Sequence, residues 1–141
     1  MLVVTAVIER ADRRILIGQR RKIDTSPLKW EFPGGKVWDD ETPEIALARE
    51  LREELGATLR RCVEIARVTH SYAETQGPLE ILFFAAEIAE TEIAPTVFGQ
   101  VAWVLPRELG GYDFLAANGR IVADLATGRI KPSEVLQLAG S

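Results

Sequence analysis

Glu50, Glu53 and Glu54 are the residues of this 141-residue chain whose type and spacing could do the most chemistry. On a helix, positions three and four apart are neighbours, so the three carboxylates would crowd together. Like charges so placed repel by roughly 0.2–0.5 kcal/mol per pair on an exposed helix, and Glu53 and Glu54 also sit near its negative end. A hard divalent cation among them would relieve that repulsion. Mg2+ takes one or two carboxylates, keeps waters and binds substrate phosphates. The plainer alternative is a solvated acidic face neutralised by Arg49 and Arg52, with Arg49 in reach of Glu53 one turn on.

The elements that must position these groups are legible on either side. Thr42 is the expected N-cap of the helix, Pro43 fits the first helical position, Glu44 suits the positive first turn and Gly56 is the stop. Leu47, Ala48, Leu51 and Leu55 recur at helical intervals as an apolar stripe, leaving the glutamates on another face. Upstream, Trp30 to Phe32 and Lys36 to Trp38 read as short strands flanking a tight turn at Gly34-Gly35. Two residues without side chains there would bring bare backbone close to a ligand. Lys36, directly after them, is placed to touch a phosphate as a mobile point charge.

Gly35, five residues, Glu41, seven residues, Arg49-Glu50-Leu51, one residue, Glu53-Glu54, one residue and Gly56 together resemble the Nudix box. The pattern departs only at Ala57, where the family has a large aliphatic residue. The resemblance implies an α/β fold, the Nudix α/β/α sandwich with a mixed β-sheet, as one domain over residues 1–141 with the box at 35–57. It also implies hydrolysis of a nucleoside diphosphate linked to another moiety, with Mg2+, or Mn2+ in its place, as cofactor. The metal would be held by the Gly35 carbonyl, Glu50, Glu53 and Glu54. Glu50 or Glu53 would take the proton of the attacking water, and Arg49 would orient the carboxylates.

Similarity to the MutT-like branch implies two base-facing residues. Arg20 lies at the matching distance before Glu31-Phe32-Pro33-Gly34-Gly35, and Ala117-Asn118 resembles the pair whose Asn bonds a purine edge. The competing readings are a solvated Arg20-Arg21 pair and an Asn118 that caps a helix. Arg20 and Asn118 favour a nucleoside triphosphate, ordinary or oxidised, cleaved to monophosphate and pyrophosphate. Hydrolysis of a dinucleotide polyphosphate or nucleotide sugar is the nearest alternative, and a non-catalytic, nucleotide-sensing Nudix domain is the alternative of another class. Many relatives carry a Glu just before the Trp of a late strand, where this chain has Gln100, Val101 and Ala102 before Trp103. Glu74, Glu80 or Glu92 could replace it, or the helix carboxylates could act alone.

The remaining chain supplies the frame. Val3 to Ile8 and Arg14 to Gln19 read as a β-hairpin. A strand region over 57–72, with Val63, Ile65 and Val68 as core positions, should pair antiparallel with Leu79–Glu87 across the loop 73–78. Val101–Val104 reads as a strand, Ala117 to Ala126 as a helix with Ile121, Val122 and Leu125 inward, and 129–141 as a tail with a short helix from Ser133. Trp30 and Trp38 read as packing residues and His70 as a surface or structural one, with base stacking by either Trp or by Tyr72 and general-base work by His70 as the lesser alternatives. With 47% hydrophobic residues a sizeable core is expected, and the net charge of −4 argues against gripping long nucleic acid. The expected partner is a small nucleotide, while oligomeric state stays open. Cys62 cannot pair with another cysteine of the chain and reads as packing. Residues 2–8 are too short for a membrane span and lack a basic flank, so the cytoplasm is the expected compartment.

Overall fold

The computed structural model describes residues 1–71 and 77–139, so Tyr72 and Glu74 lie outside the described residues. Among the described residues, seven strands and three α-helices run in the order β1 (Leu2–Ile8), β2 (Ile15–Gln19), β3 (Trp30–Glu31), β4 (Gly34–Lys36), α1 (Pro43–Leu55), β5 (Leu59–His70), β6 (Leu79–Ile88), β7 (Gln100–Val104), α2 (Gly119–Ala126) and α3 (Pro132–Ala139). Short 3-10 segments at Pro106–Gly111 and Ala116–Asn118 lead into α2.

The strands divide into two sheets. One is mixed, ordered β4-β1-β6-β5, with β1 and β6 parallel and the other pairs antiparallel. The other is antiparallel, ordered β3-β2-β7. The expected β1–β2 hairpin is thereby corrected: only a single bridge, Glu9 to Ile15, joins the two strands before they part. Each strand is apolar on both faces and satisfies its backbone on both edges, β1 with β4 and β6, β2 with β3 and β7. β5 and β6 pair antiparallel as expected, with register shifts at Leu59/Arg61 and Glu64/Ala66.

Period-two alternation builds a core on each side. Val4, Ala6 and Ile8 of β1, Leu16 of β2 and Leu82, Phe84 and Ala86 of β6 pack with α1. Val7, Ile15, Ile17, Ile81 and Phe83 point the other way, onto Phe32, Leu109 and the inward face of α2, Ile121, Val122 and Leu125. The layers are therefore helix, sheets, helices, the α/β/α arrangement. Ile65 and Val68 pack at the margin of the second core. Cys62, at the margin of the first, is half-buried, and burial pushes its thiol pKa up.

α1 begins and ends where its caps place it. The Thr42 hydroxyl accepts the Ile45 N–H at 3.2 Å, and Gly56 takes the left-handed conformation with φ 63°. Its buried stripe is Ala46, Leu47, Leu51 and Leu55, and Ala48 is only half-buried. Ala57, at the one position that departs from the box, is 1% exposed in the α1 core.

Candidate active site

β4 and α1 meet through the glycine pair, which forms a strand and not the expected turn. Gly35 pairs with Val4 and Gly34 with Thr5, and the strand ends at Lys36, so the expected strand at Lys36–Trp38 is displaced. A Cβ on Gly34 would fall on the Val4 carbonyl oxygen, and one on Gly35 would fall on the Glu50 carboxylate. Absent side chains are what let the edge of the sheet touch the acidic side of the helix.

Glu54 does not lie on a solvated face. It is 7% exposed, on the same side as Leu51 and Leu55, and its Oε2 accepts the Gly34 N–H at 3.1 Å. Burial raises its pKa far above the ordinary carboxylate range, and the neighbouring Glu50 carboxylate, close enough to share a hydrogen bond, raises it further; Glu31 adds to the effect. Glu50 is 15% exposed, whereas Glu53, one position away from Glu54, is 56% exposed. The three acids thus occupy a gradient from buried to wet.

Arg49 ties the cluster to the loop before the helix. Its Nε and Nη2 donate to the two Glu41 oxygens at 2.7 and 2.9 Å, and Nη2 also donates to the Lys36 carbonyl at 2.9 Å. Nη1 donates to Glu50 at 2.9 Å and to Glu53 at 3.4 Å. The Arg49 guanidinium beside Glu41 holds that carboxyl below its usual pKa, and Glu41 in turn raises the pKa of Arg49. Glu41 is therefore a strut for Arg49. Trp38, expected as packing, is 53% exposed and covers the Arg49 guanidinium.

Glu54 and Gly34 line a cavity of about 190 Å3 with Arg20, Arg21, Asp24, Glu31, Val97 and Phe98. Larger clefts, of about 440 to 490 Å3, lie away from the box carboxylates. Arg20 faces the cavity but is engaged: it donates to the Thr25 carbonyl at 2.6 Å, the Thr25 hydroxyl at 2.9 Å and Glu31 at 3.0 Å. Burial raises the pKa of Glu31, and Arg20 opposes that effect. Lys36 is exposed beside the glycine pair. Asn118 is 4% exposed at the start of α2 and makes no side-chain capping bond.

Four wall residues, Asp24, Glu31, Val97 and Phe98, escaped the sequence reading, and two of them had left a signal. Trp30 and Phe32 are buried in the α2-side core, so alternation sends Glu31 to the α1 side, a signal the β3 pattern does contain. Phe98 sits on Gly18, where a Cβ would lie 2.5 Å from its ring; a glycine inside an apolar strand was the available hint. Of the acids considered as replacements for the missing Glu, Glu80 is paired with Arg67 at 3.0 Å and lines a different cleft, and Glu92 is exposed. Neither lines the cavity.

Among the described residues, no three carboxylate, imidazole or thiolate groups form a finished metal shell. The chain offers a converging pair, Glu50 and Glu54, against the backbone of Gly34-Gly35, with Glu53 on the adjacent wet side. These are hard oxygen donors, and the charge crowding on Glu54 is of the kind a divalent cation removes, so the donor set fits Mg2+ or Mn2+.

The chain is similar to several known proteins. An "8-oxo-dGTP diphosphatase" of Proteus vulgaris is 40% identical over 78 residues, 51% of this chain and 64% of that protein. A "CTP pyrophosphohydrolase" of Escherichia coli is 56% identical over 54 residues, 38% of this chain and 39% of that protein. The matched part spans less than two thirds of the length of either relative. A solved structure from a study of MutT from Aliivibrio salmonicida and Vibrio cholerae superposes with a TM-score of 0.73 at 27% identity, covering 89% of this chain and 96% of that one. Residues 1–126 match the NUDIX domain, and the chain belongs to that family.

Proposed function

We propose that the chain is a divalent-cation-dependent pyrophosphohydrolase that cleaves a nucleoside triphosphate, ordinary or oxidised, to monophosphate and pyrophosphate. The observation that carries this reading is the Glu50–Glu54 pair pressed against Gly34-Gly35, with Glu54 and Gly34 in the wall of a cavity that two arginines also line. The names of the two relatives, an 8-oxo-dGTP diphosphatase and a CTP pyrophosphohydrolase, support a triphosphate substrate.

In this reading the Gly35 carbonyl, Glu50, Glu53 and Glu54 hold the cation. When bound, the cation supplies charge neutralisation to the phosphate oxygens and makes a water more acidic. The water oxygen bonds to one phosphorus of the α–β anhydride and that P–O bond breaks, releasing monophosphate and pyrophosphate. The water proton passes to Glu53 or Glu50, and Glu53 is the better placed, being open to solvent and held by a long 3.4 Å contact from Arg49. Arg49 keeps the carboxylates in place. Lys36 and the Arg20-Arg21 edge face the phosphate chain and base, whereas Asn118, expected at the purine edge, is 4% exposed and does not line this cavity.

Turnover of the single variants tests the proton assignment. If Glu53 is the base, Glu53→Gln lowers kcat by about two orders of magnitude or more, the usual range for a general base. A Glu53→Gln enzyme that keeps most of its turnover while Glu50→Gln loses it moves the role to Glu50.

A further inference from the structure

One exposed aromatic ring on a surface needs no explanation by itself. The neighbour of Trp38 gives it one. The Arg49 guanidinium carbon lies 3.6 Å from the ring centroid, well within the reach of cation–π attraction. The in-plane directions of that guanidinium are taken by oxygens of Glu41, Glu50, Glu53 and the Lys36 carbonyl. What the plane leaves open is its face, and the indole covers it. Arg49 is accordingly only 15% exposed although Trp38 beside it is 53% exposed. The Trp38 backbone N–H also donates to Glu41 Oε1 at 2.9 Å, so the same residue holds the acid that grips the edge of the Arg49 guanidinium.

We propose that Trp38 is a positioning residue of this site: its indole caps the Arg49 guanidinium, shields the fork from water and salt, and so fixes the Glu50 and Glu53 carboxylates. A guanidinium binds through a rigid planar fork, so tilting the plane moves both acids together. An aliphatic side chain could exclude water but offers no π face to the cation.

The kinetic part of the test rests on the pyrophosphohydrolase reading. Trp38→Leu should lower kcat roughly three- to tenfold, the range a cation–π contact supports, with nucleotide KM changed less than about twofold. Its turnover should also fall more steeply with added NaCl, because the uncovered ion pairs become screened. Trp38→Phe keeps a ring and should restore most of the turnover and the flatter salt profile. A second readout needs no turnover: in a urea-unfolding double-mutant cycle, Trp38→Leu and Arg49→Met should couple by about three- to tenfold in the folding equilibrium. Trp38→Leu matching the wild type in kcat and salt response, Trp38→Phe as impaired as Trp38→Leu, or a coupling below about twofold would overturn the role. A wild-type protein without turnover counts against the proposed activity, and the unfolding cycle then decides the positioning contact alone.

Discussion

Glu54 carries the sharpest conflict in the molecule at the scale of a single residue. A carboxyl that is 7% exposed and beside Glu50 folds most readily when protonated, and its folded pKa rises from 4.5 to about 9. The folded state therefore binds more protons than the unfolded one between those values, and metal-free stability falls as pH climbs through that window. Glu54→Gln can still accept the Gly34 N–H, so in chelator it should be more stable than the wild type at pH 7, on the order of 1 kcal/mol or more, since each tenfold change in acid strength corresponds to about 1.4 kcal/mol. Urea unfolding at pH 5, 7 and 9 checks this; a variant no more stable at pH 7 would contradict the buried, crowded carboxylate. The two glycines separate stability from chemistry in the same way. Gly34→Ala drives a Cβ onto backbone, the Val4 carbonyl, and should cost roughly 1–3 kcal/mol. Gly35→Ala meets a movable carboxylate, so the fold should hold within about 1 kcal/mol while turnover falls about tenfold or more because Glu50 is displaced. Equal stability losses in both would show that Glu50 does not rest on Gly35. The types and spacing of the box glutamates were legible in the sequence. The burial of Glu54 was not, because helical spacing assigns faces and not how far the sheet edge comes to meet them.

At the scale of elements, α1 was readable because its signals are local: Thr42, Pro43 and Gly56 act within a turn of themselves. β4 and the β1–β2 connection were misread because their partners are remote, Gly34-Gly35 pairing with β1 and β2 pairing with β7. The C-terminal end of α1 shows the same non-local dependence. Thr96 donates its hydroxyl to the Glu53 carbonyl at 3.0 Å and its backbone N–H to the Glu54 carbonyl at 2.9 Å, and Ala94 N–H donates to the Leu55 carbonyl at 2.7 Å. The segment before β7 thereby caps the turn that carries two of the acids and sets Val97 and Phe98 at the cavity. Thr96→Val keeps the shape and loses the hydroxyl bond, which should cost roughly 0.5–1.5 kcal/mol in chemical denaturation. An unchanged midpoint would mean that the backbone bonds alone hold this segment.

At the scale of the whole molecule, two sheets part after Glu9–Ile15 and each core takes its own helices. The box acids stand where β4 of the mixed sheet, β3 of the antiparallel sheet and the end of α1 approach one another around Gly34, Glu31 and Glu54. Element order fits an α/β domain and the family resemblance implies the α/β/α sandwich, yet neither says that this junction gathers Glu31 and Phe98, because both arrive from other elements. Among the described residues no helix is long and apolar enough to cross a membrane. The central claim, metal-dependent anhydride cleavage by the α1 acids, is tested most directly by product analysis. Wild-type protein and Glu54→Gln would be incubated with Mg2+, or with chelator, and a panel of ordinary and oxidised nucleoside triphosphates, ADP-ribose and diadenosine polyphosphates, with products read by chromatography and mass detection. The account predicts monophosphate plus pyrophosphate from a triphosphate, abolished by chelator and lowered by about two orders of magnitude or more in Glu54→Gln. Turnover that survives chelator or leaves Glu54→Gln fully active, or no turnover of any member of the panel, would contradict it.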